Sequence, residues 1–501
     1  MKNWSNRTKV LIGCFIISTL FILLFSAYTT VLNDYYGFDS AVFCVMGKGL
    51  LSGKIPYVDL FDHKGPMLYF VWALGLLIGN GTKWGVFFLQ CLSLTISLYY
   101  IYKLCVLLKT TNKRCILLIL FYLVLLCGVI YEGGLTEEWA LPCDLICMYW
   151  AICYIKGKLN YPVWVYGFFS GIFFAYVANM RLNNAAVIGS VVLFLFFLMI
   201  IDKKYKDIAL CALMFALGFA VIMVPIIIYF YMHDALYDMF YASILYNIVY
   251  ASGGAPKTAK EILTLLGYEG ITIIISAIIL FRNRGDKNKR RTGGLLLFCS
   301  LIGCAACALG HPFQHYFMIF LPIIIVVICV VVSELTDWKR TILLMLLVIM
   351  PYSYQIVRNA GKCFLFNFMG YYDEMFEGIR ELGDIIPDEE KDSVWSLGIT
   401  TSKYYAANDI LPCYKIWDMP MVLNENDMFR AEIEKMMEEN PPKWIFGFDP
   451  DNFYLDSVEQ VLHEKYDVVE TKRLGVVDAN FRSGSQNTGV ILYRRNDENY
   501  E

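Results

Sequence analysis

The chain has 501 residues, of which 58% are hydrophobic and only 17% charged, with a formal net charge of −3. Apolar runs long enough to cross a bilayer recur along it, which excludes a soluble globular protein and indicates a polytopic helical membrane protein. The small net charge conceals two unlike parts: residues 1–356 carry 27 Lys and Arg against 17 Asp and Glu, whereas residues 357–501 carry 15 against 28, so the acidic part is the soluble one.

In chain order, hydropathy predicts eleven spans, at 9–32, 84–108, 115–131, 139–155, 162–178, 185–201, 208–231, 262–281, 294–310, 315–333 and 340–356. The first is long and no small-residue cleavage site follows it, so it reads as a signal anchor. Met67 to Ile78, after the break at Pro66, is too short for a comfortable crossing of a hydrocarbon core of about 30 Å and is placed as an interfacial or re-entrant helix. Most of the sixteen cysteines lie inside spans, where Cys acts as a small apolar residue. Cys363 and Cys413 are the exceptions; their spacing fits no zinc or thioredoxin pattern and leaves a disulfide open.

Basic residues orient the chain. With Lys2, Arg7 and Lys9 in the cytoplasm, the inner loops collect Lys109, Lys113, Arg114, Lys156, Lys158, Lys203, Lys204, Lys206, the run Arg282 to Arg291, Lys339 and Arg340. A twelfth span at Met67 to Ile78 would put these clusters outside. Eleven spans place the N-terminus in the cytoplasm and the acidic C-terminal domain outside. The outer loops then hold Asp34, Asp39, Asp59, Asp62, His63 and Lys64; Glu132, Glu137 and Glu138; Arg181; Asp234 and Asp238; and His311 and His315. Two units are expected: a membrane domain over 1–356 with a large first outer loop at 33–83, and a soluble extracytoplasmic domain over 357–501. In the latter, short apolar runs at 394–399, 443–448, 466–469 and 490–493 alternate with helix-like stretches at 428–439 and 455–464, as in a small α/β domain. It shows no phosphate loop, GxGxxG motif or nucleophile elbow, and reads as an accessory lid or an acceptor-docking domain.

The first outer loop carries the chemistry. Asp39 stands at the start of an amphipathic stretch running to Leu51, where a carboxylate is favoured by a helix N-terminus; its structural alternative is an N-cap. Downstream, Asp59-Leu60-Phe61-Asp62-His63-Lys64-Gly65-Pro66 puts a lysine and a histidine at headgroup level on a stiff turn, able to meet a phosphate or merely to anchor at the interface. Arg181, at the outer end of a span, either clamps phosphate or snorkels. Tyr35, Tyr36 and Tyr57 are candidates for stacking on a sugar.

A first span, a large outer loop with Asp at its start, an amphipathic helix and a His-Lys-Gly-Pro turn leading to an interfacial helix resemble the GT-C class of membrane glycosyltransferases. The bacterial protein O-mannosyltransferase-like and RgtA/B/C/D-like group is the nearest in pattern, over about residues 9–335. The resemblance implies a catalytic base at Asp39, donor phosphate binding at His63 and Lys64 with Arg181, and sugar or acceptor binding at Glu137, Glu138, His315 and Tyr316. The chain departs from the pattern at Ser40, where many relatives have Glu, and at His315, where Arg is usual. The implied donor is a polyprenyl-phosphate sugar, and the acceptor is a cell-surface glycan, lipid or protein. Membrane lipids are partners, nucleic acid is not, no cofactor or bound metal is implied, and a divalent cation is left open. The implied reaction is inverting transfer of a hexosyl or pentosyl group. The rival readings are a transporter or flippase for lipid-linked saccharides, which would place ionisable residues at mid-membrane, whereas here they gather at one face although Asp144 and Glu269 lie inside or near spans, and a non-catalytic surface-assembly protein.

Overall fold

The computed structural model describes residues 6–252, 259–283, 285–308, 313–370, 373–397, 401–418, 427–449, 456–473 and 489–496; His311 and Pro312 lie outside them. The helices in chain order are α1 (Asn6–Phe25), α2 (Phe38–Leu51), α3 (Pro66–Ile78), α4 (Trp84–Leu107), α5 (Asn112–Cys127), α6 (Thr136–Ile155), α7 (Val163–Ala178), α8 (Ala186–Ile201), α9 (Tyr205–Met232), α10 (Leu236–Phe240) and α11 (Tyr246–Ser252). They continue with α12 (Ala259–Arg282), α13 (Lys287–Ala308), α14 (Leu321–Glu334), α15 (Trp338–Ile349) and α16 (Ser353–Phe368).

A helix occupies each expected span. Among the described residues, eight helical segments are long and apolar enough to cross a membrane. The exceptions are α5 and α7, which have 16 residues each, and α6, which spends three of its buried positions on Glu137, Glu138 and Asp144. The first span stops at Phe25 rather than at 32. There Thr30 Oγ1 donates to the Leu23 carbonyl, and the Ser26 and Thr29 hydroxyls pair at 2.6 Å, so side chains take over the hydrogen bonding of the turn. The last span continues past residue 356: after a short 3-10 turn at Met350–Tyr352 the chain stays helical to Phe368. Cys363, buried in α16, and Cys413 are both free thiols.

The short helix α3 forms as expected. Pro66 opens it at a position that needs no N–H. Its buried face, with Leu68, Tyr69, Trp72 and Leu76, packs on α2 and α4, while Leu77 and Ile78 stay exposed.

The C-terminal part contains α17 (Asp373–Asp384), β1 (Val394–Ser396), α18 (Thr401–Asn408), α19 (Asp427–Glu439), β2 (Trp444–Asp449), α20 (Asp456–Lys465), β3 (Tyr466–Arg473) and β4 (Gly489–Arg495). The sheet runs β1-β2-β4-β3, with β1 parallel to β2 and the other pairs antiparallel. This α/β unit is seated on the end of the helical body that carries the first outer loop. Helix α18 packs on α2, and Ser402 Oγ donates to the Phe38 carbonyl. The Phe61 N–H donates to the Lys415 carbonyl at 2.9 Å, and Lys415 lies 3.5 Å from Asp238.

Candidate active site

Three loops and two helix ends converge beneath this domain. Helix α2 is capped by Gly37, whose N–H is taken by Ser40 Oγ at 2.9 Å, so Asp39 falls in the first turn and does not serve as the cap. A Cβ at Gly37 would stand 2.5 Å from Glu132 Oε2 and 2.7 Å from the Tyr28 ring, so only glycine lets the second outer loop approach this closely. The Asp39 side chain keeps 38% of its exposure, and its Oδ2 lies 3.9 Å from His315 Nε2.

The His63-Lys64 turn is docked on the end of α7. The Gly65 N–H donates to the Met180 carbonyl and the Met67 N–H to that of Asn179, and a Cβ on Gly65 would overlap the Asn179 carbonyl. The turn is therefore held beside Arg181. Below it, the Tyr57 hydroxyl donates to the Lys64 carbonyl at 2.7 Å, and Tyr57 itself sits in the left-handed region at φ 73°. For a bulky residue that backbone is costly and persists only where its surroundings fix it. Above the turn, Asn247 Nδ2 donates to the His63 carbonyl at 2.7 Å, and the Tyr246 ring lies against the His63 ring. Tyr246 and Phe61 in turn pack on Phe429 of α19, which ties the turn to the C-terminal domain.

Glu137 and Arg181 form an ion pair at 2.8 Å, with the Glu137 side chain only 2% exposed. The guanidinium also stacks on Tyr316, 3.5 Å from the ring centroid. Fixed from two sides, the planar fork is oriented before any ligand arrives. The His315 ring, 3.9 Å from Asp39, is also within electrostatic reach of Glu137, Arg181 and Lys64.

Asp39, His63, Lys64, Glu137, Arg181, His315 and Tyr316 are thus brought together. Glu138 is not. Its Oε1 accepts from the Leu135 N–H and its Oε2 from Gln90 Nε2, so it completes a capping box at the start of α6 and braces α4. Tyr35 and Tyr57 are also withdrawn: both are buried, Tyr35 against Phe366 and Phe376. Asp59 caps locally, accepting from the Ile55 N–H, and Asp34 pairs loosely with Arg380. Among the described residues, no three His, Cys, Asp or Glu side chains converge on a point that could hold a metal ion.

Sequence reasoning named Asp62 within the polar cluster of the first outer loop but gave it no role, and it did not single out Lys83 or the Tyr246-Asn247 pair. Lys83 is buried at the head of α4, where its ammonium donates to the Tyr28 and Tyr35 carbonyls and to Asn33 Oδ1. It staples the strand of chain that leads into α2. Burial drives its pKa down to about 7, against the pull of Asp34. A lone lysine beside a span gives no sequence signal of such a role.

Two crystal structures of ArnT from Cupriavidus metallidurans share this fold. One is bound to undecaprenyl phosphate and the other is in the apo state; each superposes with a TM-score of 0.61 over 97% of both chains, at 9% and 8% identity respectively. At that identity the likeness is one of fold, and it is the GT-C type to which the first outer loop pointed. No curated protein matches the chain in sequence. Residues 3–342 match the family model described as putative competence-induced protein Ccs4, N-terminal domain. With more than half of its length matched, the chain belongs to the family of putative competence-induced protein Ccs4.

Proposed function

We propose that the protein is a multi-pass membrane glycosyltransferase that moves a sugar from a polyprenyl-phosphate donor to an acceptor hydroxyl at the outer face of the membrane. One observation carries the reading: a carboxylate and a lysine of the first outer loop and an arginine from the end of α7 come to one end of the helical body. The likeness in fold to a protein crystallised with undecaprenyl phosphate supports the donor class.

In this reading Asp39 takes the proton of the acceptor hydroxyl as its oxygen forms a bond to the anomeric carbon. The bond from that carbon to the phosphate oxygen breaks, and the departing charge is met by Lys64 and by the Arg181 donors that Glu137 leaves free. His315 orients Asp39. Direct displacement of this kind inverts the anomeric centre. Glu137 and Tyr316 act by holding Arg181, a narrower part than contact with the sugar. The polyprenyl tail explains the location, since the donor arrives by diffusion within the bilayer on a face without nucleotide sugars.

The basic loops at the opposite end support an orientation with the site and the C-terminal domain outside the cytoplasm. A C-terminal fusion to a reporter that works only outside should be active, and activity of a cytoplasm-only reporter would overturn the orientation. Mass spectrometry of surface glycans and glycoproteins from cells lacking the protein tests the function itself. A missing sugar with its lipid-linked donor accumulating at the outer face supports the transferase and names the sugar; a missing sugar with the donor held at the inner face would favour a flippase, and an unchanged profile would contradict both.

A further inference from the structure

Asp62 is the most buried acid of the first outer loop, 4% exposed, and the reaction above gives it no part. Both of its oxygens are engaged. Oδ1 accepts from the His63 backbone N–H at 2.6 Å, and Oδ2 accepts from the Tyr69 hydroxyl at 2.8 Å. Oδ1 also stands 3.5 Å from His63 Nδ1, an electrostatic contact rather than a hydrogen bond, and on the far side of the same ring Nε2 stands 2.8 Å from Lys64 Nζ.

The chemistry of these atoms fixes the direction of the line. An ammonium only donates, so Nε2 must accept from Lys64, and the single ring proton then sits on Nδ1, facing the carboxylate. That role needs a neutral imidazole. Burial, with help from Lys64 and Arg181, holds His63 well below the ordinary imidazole range. Burial pushes the Asp62 carboxyl up, while Lys64, the Tyr69 hydroxyl and the His63 N–H oppose it.

We propose that Asp62 is a positioning residue for Lys64, holding the ammonium in place through the His63 ring before the donor phosphate arrives. The inference rests on the assignment of Lys64 to that phosphate. A free lysine carries about 2 kcal/mol of rotamer entropy, much of which it loses on meeting a ligand. Here the loss is taken in advance by the fold, and the arriving phosphate replaces Nε2 as the acceptor. Tyr57 and Tyr69, which donate to the Lys64 carbonyl, hold the backbone of the same residue.

The test is titration of purified full-length protein in detergent with undecaprenyl phosphate. Asp62→Asn keeps the size and one accepting oxygen but not the charge facing Nδ1, and should bind about ten-fold more weakly, a difference of about 1.4 kcal/mol. In a Lys64→Ala background the same change should alter binding by less than about two-fold, because a residue that acts only through Lys64 has nothing left to position. A loss of equal size in both backgrounds, or wild-type binding by Asp62→Asn, overturns the proposal. Should Asp62→Asn fail to fold, His63→Gln breaks the line without touching the buried carboxylate and must show the same dependence on Lys64; an additive loss overturns the proposal. Unchanged binding by Lys64→Ala alone would remove the donor assignment as well, so the two failures are told apart.

Discussion

Arg291 grips Asp202 in the loop between α8 and α9 with two hydrogen bonds, one of 2.7 Å, in company with Lys287, whose side chain is 64% exposed. Arg181 grips Glu137 at 2.8 Å at the opposite end of the helical body, with the carboxylate almost wholly enclosed and an aromatic ring under the guanidinium. The two pairs look alike in geometry and differ in setting. In the first the carboxylate keeps 18% of its exposure and is shared by two cations. The second is a pair of charges taken out of water, a state that costs several kcal/mol per ion and is offset only by close partners. Folding alone gives little reason to bury such a pair, since apolar residues of the same volume often serve stability as well or better. Its placement beside Lys64 and Asp39 gives a reason.

Substitutions should separate the two ends, and the largest effect belongs to the buried pair. Arg181→Ala leaves Glu137 enclosed without its cation and should lower stability by about 3–5 kcal/mol, read as thermal unfolding in detergent. Replacing both partners, Glu137→Gln with Arg181→Gln, should recover part of that loss while leaving undecaprenyl phosphate binding weak. Full binding by the double variant would show that the pair is structural only.

Next in size is Lys64→Ala. A charge-assisted contact to phosphate is worth about 1.5–3 kcal/mol, so the affinity for undecaprenyl phosphate should fall by that amount with little change in unfolding temperature. Equal affinity would place Lys64 among the interfacial anchors.

The smallest effect is expected at the basic end. Arg291→Ala should cost about 1 kcal/mol or less, because Asp202 keeps Lys287 and access to water. The hydrogen bonds from Arg291 hold the Asp202 carboxyl well below the usual range. The stabilisation it lends is therefore fully present above the unfolded value of about 4 and is lost as the pH falls below it toward the lowered one. Unfolding followed from pH 6 to pH 3 should show this loss in the wild type and not in Arg291→Ala. A cost near that of Arg181→Ala would erase the contrast between the ends.

Much of this arrangement was legible in the sequence. Hydropathy located the helices of the eleven expected spans, apolar runs located the four strands among the described residues, and the outer loops supplied Asp39, Lys64, Glu137, Arg181 and His315, which the fold brings together in the candidate site. What was not legible depends on partners far away in the chain. Glu137 and Glu138 are neighbours with the same side chain, yet one meets Arg181 and the other meets Gln90 of α4, and nothing in their local sequence distinguishes them. Tyr35 and Tyr57 have the composition of a sugar-stacking pair but are enclosed by Phe376 and by Phe230 and Tyr69 respectively. Asp39 satisfied the spacing of an N-cap, and only the hydrogen bond between the Gly37 N–H and Ser40 Oγ shows the cap to be two residues earlier. The end of α1 was set too late because an apolar average does not register the side-chain hydrogen bonds of Ser26, Thr29 and Thr30.

The most direct measurement is restoration of the surface sugar by Asp39→Asn in cells lacking the wild-type protein, quantified by mass spectrometry at matched amounts of inserted protein. Since Gly37 and Ser40 cap α2, the substitution should leave the fold and undecaprenyl phosphate binding in place while removing the proposed base. Transfer should fall by about 10²-fold or more, the scale of losing a general base. Restoration of the sugar at the wild-type rate would contradict the account, return Asp39 to a structural part in the first turn of α2, and leave the outer-face cluster without a base.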